Sequence, residues 1–186
     1  MTFRRIVPVV LLPVVLVLAG ATGAAAQTLA SDLRQDWQVM RQLMMGMADA
    51  MPEDGFDYAS TPEQRTFGEQ ALHVAGGNTF LLGFLGAEAE RPAIDPRNTR
   101  TFGYTAASKA DVLAALGESF DYGAAALDEF DDDALLARVD GPPFLAQTTR
   151  LRLVYFVVGH IWDIYGQMAV YLRLNGVVPP ASRGGI

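Results

Sequence analysis

The feature that most constrains this chain is its last long apolar segment, from about Thr148 to Asn175. Leu151, Val154, Val158, Ile161, Tyr165, Met168 and Leu172 repeat in strict three-four alternation, and Leu153, Val157, His160, Ile164, Gln167 and Tyr171 form a second stripe beside them. Two adjacent stripes make a wide apolar face, which a helix buries only against two neighbours. At about 1.5 Å per residue such a helix is roughly 40 Å long. Asn175-Gly176 and then Pro179-Pro180 close it, because a Gly just past the last periodic residue and a Pro soon after both stop a helix. The rest of the chain must therefore supply other long helices.

It contains three further helical patterns. The first runs from about Ser31 to Met51, with Leu33, Trp37, Met40, Met44, Met47 and Met51 on one stripe, and Pro52 ends it. So regular a spacing favours methionines that fill a core over an adaptable ligand surface. The second opens on Thr61, with Pro62 at the first helical position and Gln64 completing a capping-box pattern, and continues to about Leu85. Its main face carries Phe67, Ala71, Val74, Asn78, Leu81, Leu82 and Leu85, while His73 shares a second stripe with Phe80 and Phe84. Gly76 and Gly77 follow within one turn of His73. Each costs a helix about 1 kcal/mol relative to Ala, so another backbone or a ligand is expected close beside the histidine.

The third pattern starts at Ser108 and carries Val112, Leu116, Phe120, Gly123, Leu127 and Phe130. Asp131-Asp132-Asp133 reads as a solvated turn, since nothing after it follows the spacing of a calcium loop. A short helical turn fits Ala134 to Arg138 before Pro142-Pro143. Residues 91–106, with Pro92 and Pro96, lack apolar periodicity. Extended, that connection reaches about 50 Å, enough to run the length of a helix and start the next one parallel to the last. Four long helices with hardly any strand pattern give an all-α fold, a four-helix bundle.

Arg4-Arg5, an apolar run from Ile6 to Ala19, and Ala24-Ala25-Ala26 before Gln27 read as a signal peptide over residues 1–26, removed on export. The run is short for a membrane span and holds Pro8 and Pro13, so no stable membrane anchor is expected after cleavage. A periplasmic or secreted location follows, with residues 27–186 as the folded domain. That domain has 160 residues, enough for one core. Loss of Arg4 and Arg5 moves the net charge from −7 to −9, with 12 basic against 21 acidic residues. The balance excludes nucleic acid as an expected partner, because phosphate backbones need clustered Lys and Arg. The chain has no cysteine, which removes disulfides, thiol nucleophiles and thiolate ligands alike. No G-x-S-x-G and no phosphate-cradling Gly loop is present.

Chemistry is left to the two histidines. His160 with Asp163 and Glu69 with His73 each share a helix surface. If the second stripes of the second and last helices face each other, two imidazoles and up to two carboxylates converge. Such a set suits Zn²⁺, Ni²⁺ or Fe²⁺, with a catalytic centre needing three protein ligands and an open position. Two histidines on apolar stripes equally fit a metal-free reading, as hydrogen-bonded core residues.

The segments Thr61–Asn78 (TPEQRTFGEQALHVAGGN) and His160–Ser182 (HIWDIYGQMAVYLRLNGVVPPAS) resemble the secreted branch of the DinB-like (DinB/YfiT) superfamily, and Ser108–Asp121 matches less distinctively. The resemblance implies a bundle of up-down-down-up order with a long crossover between helices two and three. It also implies a divalent metal on three histidines, one on helix two and an H-x-x-x-H pair on helix four. His73 and His160 match the first two ligands; the third position is Ile164. Asp163 is the candidate substitute, with Glu69 behind it. Three functions are open on this basis. One is a metal-dependent hydrolase or transferase. Another is a small-ligand-binding bundle whose cavity is lined by Phe80, Phe84, Trp162, Ile164, Tyr165 and Gln167. The last is a structural bundle, a homodimer being one arrangement for it.

Overall fold

The computed structural model describes residues 27–106 and 108–184, so the expected signal segment lies outside the described residues. The elements, in chain order, are α1 (Leu29–Ala50), a 3-10 turn (Glu53–Gly55), α2 (Phe67–Leu82), α3 (Lys109–Asp128), α4 (Asp132–Leu136), β1 (Arg138–Asp140), β2 (Gln147–Thr149), α5 (Arg150–Leu174) and a final 3-10 turn (Pro180–Arg183). The four long helices enclose one apolar core. α1 and α2 each pack against both α3 and α5, and touch each other only slightly.

The apolar stripes account for this packing. Trp37, Met40, Met44, Met47 and Met51 of the first stripe are all buried, as are Phe67, Ala71, Val74, Leu81, Leu82 and Leu85 of the second. Trp37 locks α1 to α3: its indole N–H donates to the Phe120 carbonyl at 2.9 Å and its ring meets the Phe120 ring at 5.0 Å between centroids. On α5 both stripes turn inward, with Val154, Ile161, Met168 and Leu172 from one and Leu153, Val157, Ile164 and Tyr171 from the other buried.

α2 begins later than the Thr61 signature suggests. Thr66 is its N-cap, accepting from the Glu69 N–H, while the Glu69 carboxylate accepts from the Thr66 N–H. Thr61 instead closes a turn, its carbonyl accepting from the Gln64 N–H at 3.2 Å. Two capping patterns overlap here, and the one nearer the apolar run forms the helix. The acidic run after α3 is structural as well. Asp131 caps α4, and the Asp132 carboxylate accepts from the Leu29 and Ala30 N–H groups at the start of α1, where the helix dipole favours an anion. Pro142-Pro143 sit in the loop of a short antiparallel hairpin, β1 with β2, pairing Val139 with Thr148.

Residues 83–106 leave α2 toward α3 and are tied down at several points. Arg150 donates from Nε to the Leu85 carbonyl at 2.7 Å, and the Glu129 carboxylate accepts from the Glu88 and Ala89 N–H groups. Farther on, residues 98–102 lie beside α2 and bring Arg100 and Phe102 to His73.

Candidate functional site

His73 on α2 and His160 on α5 meet, with ring centroids 5.0 Å apart at an interplanar angle of 58°. The approach depends on Gly77, where a Cβ would stand 2.8 Å from Cε1 and 3.1 Å from Nδ1 of His160, closer than real side chains tolerate. Gly76 makes the same allowance for Phe102, whose ring covers the helix there. Phe102 also lies 5.4 Å from the His73 ring and stacks on Phe80 at 5.7 Å. Its φ of +55° is the left-handed region that bulky residues avoid.

His73 Nδ1 is 3.1 Å from the Arg100 carbonyl. A carbonyl only accepts, so Nδ1 carries the proton and Nε2 keeps its lone pair. Burial, the nearby Arg65 cation and the His160 ring lower the His73 pKa from 6.5 to about 4. Burial also pushes His160 down, against a smaller upward pull from Asp163. His160 Nδ1 is buried with no hydrogen-bond partner in the protein. Both rings are therefore neutral at neutral pH and offer lone pairs.

The carboxylates named from the sequence are engaged elsewhere. Glu69 caps α2 and is gripped by Arg100, with Nε donating to Oε1 at 2.6 Å and Nη2 paired to Oε2 at 2.6 Å. Asp163 is exposed and accepts from the Gln167 amide at 3.1 Å. Ile164 is buried at the family's third ligand position. With Zn–N bonds of about 2.0 Å, two imidazoles on one tetrahedral ion have centroids roughly 5 Å apart, so the pair's spacing fits a metal. The full donor set does not. Among the described residues no group of three or more His, Cys, Asp or Glu is placed to hold an ion, and Arg65 bears on both rings with positive charge.

The aromatic residues named for a cavity divide into separate groups. Phe80 on α2 and Phe84 just past its end pack edge to face, whereas Trp162 is 48 % exposed and packs on Tyr165. Next to the histidines the structure instead opens a polar cleft of about 340 Å³, lined by Glu63, Gln64, Arg65, Gln70, Thr99, Arg100 and Gln167. Gln167 is the one residue of the expected lining that borders it. Arg65, Gln70 and Arg100 were not singled out in the sequence. Gln70 stands on α2 opposite Gln167 of α5, to which it donates at 2.8 Å, and the spacing of Gln70 from His73 was the one signal available for it.

The model of the DinB superfamily matches residues 32–168. The chain belongs to the DinB superfamily. Its fold is that of DinB-like proteins of known structure. One, from Bacillus cereus ATCC 10987, has 20 % identity and a TM-score of 0.70, over 83 % of this chain and 97 % of that one. Another, from Bacillus subtilis, has 15 % identity and a TM-score of 0.60, over 78 % of this chain and 92 % of that one. A search of the curated proteins found no match. Within this DinB-like fold, α2 and α5 bring the paired imidazoles together, and the crossover covers His73.

Proposed function

We propose that this protein is an exported, non-catalytic DinB-superfamily bundle that binds a small molecule in the polar cleft beside His73 and His160, without a tightly held metal. The helix order we infer is up-down-down-up, which the long crossover and the packing of α2 on α3 support. The observation that carries the functional reading is the donor inventory around the 5.0 Å histidine pair. Two neutral rings are present, Glu69 is committed to Arg100 and its helix cap, and Ile164 stands where another ligand is needed. Two imidazoles seldom hold a divalent ion tightly alone. The polar cleft beside them, lined by Arg65, Gln70, Arg100 and Gln167, suits recognition of a small polar molecule.

A metal-dependent hydrolase or transferase is the second reading, favoured by the ring spacing alone. Metal analysis of protein purified without a His tag separates the two. The binding reading expects well under one equivalent of transition metal and a melting temperature indifferent to chelator. One equivalent that His160→Ala abolishes would establish the second reading instead. Ile164→His supplies the missing ligand one turn from His160, and a gain in Zn²⁺ affinity of at least about tenfold is expected; no gain would show that the two rings cannot share an ion. Export is tested by the N-terminus of the mature protein, expected at Gln27.

A further inference from the structure

The cleft beside the histidines holds a cation that makes no ion pair among the described residues and an acceptor without a partner. Arg65 lies half-buried, donating from Nε to the Arg100 carbonyl at 3.0 Å and from Nη2 to the Thr99 carbonyl at 3.4 Å. Among the described residues it makes no ion pair. Arg100, the other guanidinium lining the cleft, is neutralised by Glu69, and Glu63 stands exposed at the rim. Arg65 is thus the one cleft cation without a carboxylate of its own.

The acceptor is Gln70, only 2 % exposed, whose Oε1 has no partner in the protein. A relay fixes which amide atom is left over. Asp163 can only accept, so the Gln167 amide nitrogen points to it. The Gln167 oxygen then accepts from the Gln70 nitrogen, and Oε1 of Gln70 is the atom remaining. A buried acceptor left unpaired costs on the order of 1–3 kcal/mol. Gln70 itself lines the cleft, so its amide is within reach of a molecule bound there with the relay intact.

We propose that this cleft binds a small organic acid that carries a hydroxyl or N–H group next to its carboxylate. The carboxylate pairs with Arg65, and the neighbouring donor bonds Gln70 Oε1. At about 340 Å³ the cleft accommodates a molecule of that size. This assignment rests on the small-ligand reading above and narrows it to a ligand class.

Three probes of similar shape test it by NMR titration of the purified protein: lactate, propionate, which lacks the hydroxyl, and neutral lactamide. Lactate is expected to bind about five- to tenfold more tightly than propionate, with lactamide weaker than either. Arg65→Met should weaken both acids and keep their ratio. Gln70→Met should bring the ratio to one. If that variant fails to fold, the near-isosteric Gln70→Glu should weaken both acids by about tenfold or more, since it sets a like charge in the cleft. Equal binding of lactate and propionate overturns the role of Gln70, and lactamide binding as well as lactate overturns the role of Arg65. If none of the probes binds but other small molecules shift the His73 and His160 resonances in a fragment screen, the acid assignment fails while the small-ligand reading stands. If nothing shifts them, both fail.

Discussion

His73 is the residue whose charge most directly couples the site to stability. Its folded pKa of about 4 lies below the ordinary 6.5, chiefly through burial and then through Arg65. As pH falls through 6.5 the unfolded chain takes up a proton that the folded ring refuses until about 4. Stability present above pH 6.5 is therefore lost between 6.5 and 4 and levels off below. Discounted for the part of the ring that reaches solvent, the loss is on the order of 2 kcal/mol. Urea unfolding at pH 7 and pH 4.5 should show a smaller pH difference for His73→Gln than for the parent; an equal difference would place the acid sensitivity elsewhere. The histidine pair itself was legible in the sequence, because Gly76-Gly77 announced a close neighbour. What comes close was only partly legible. His160 lies on a readable stripe, but Phe102 comes from a connection without periodicity, and no spacing rule reports a left-handed backbone. Glu69 was ambiguous for a different reason: a carboxylate one turn from a histidine serves equally as ligand or as cap, and Arg100, distant in sequence, decides between them.

At the scale of elements, the helices and their ends were readable wherever the apolar repeat is long and a single start signal precedes it. α1, α3 and α5 begin within two or three residues of where the pattern and caps place them. α2 does not, because Thr61-Pro62 and Thr66 compete as starts. The hairpin escaped because three-residue strands carry too little alternation, and Pro142-Pro143 reads only as a break. Asp132 shows how one element completes another. Its carboxylate holds two N–H groups of α1 across about a hundred residues of chain. Asp132→Ala should cost about 1 kcal/mol and speed amide exchange in the first turn of α1. Asp133→Ala, on an exposed neighbour, should stay within about 0.5 kcal/mol of the parent. Equal effects from the two would mean that the acidic run acts only through bulk charge.

For the molecule as a whole, one long connection does two jobs. It joins α2 to α3, and its residues 98–102 close one side of His73. Phe102 decides how firmly. Glycine there would relieve about 1 kcal/mol of backbone strain but would remove an aromatic ring packed on Gly76, His73 and Phe80, worth more than that when even partly buried. Phe102→Gly should therefore destabilise the protein by about 1–2 kcal/mol net. It should also raise the His73 pKa toward its ordinary value, read by NMR titration, as the ring gains water. An unchanged His73 titration would show that Arg100 alone shields the imidazole.

That phenyl group stays in place against the torsional preference of its own peptide. The strain lies in the backbone torsion, so turning the ring aside does not relieve it. Water reaches the His73 ring from that side only at the expense of a ring held by the twist of a single peptide.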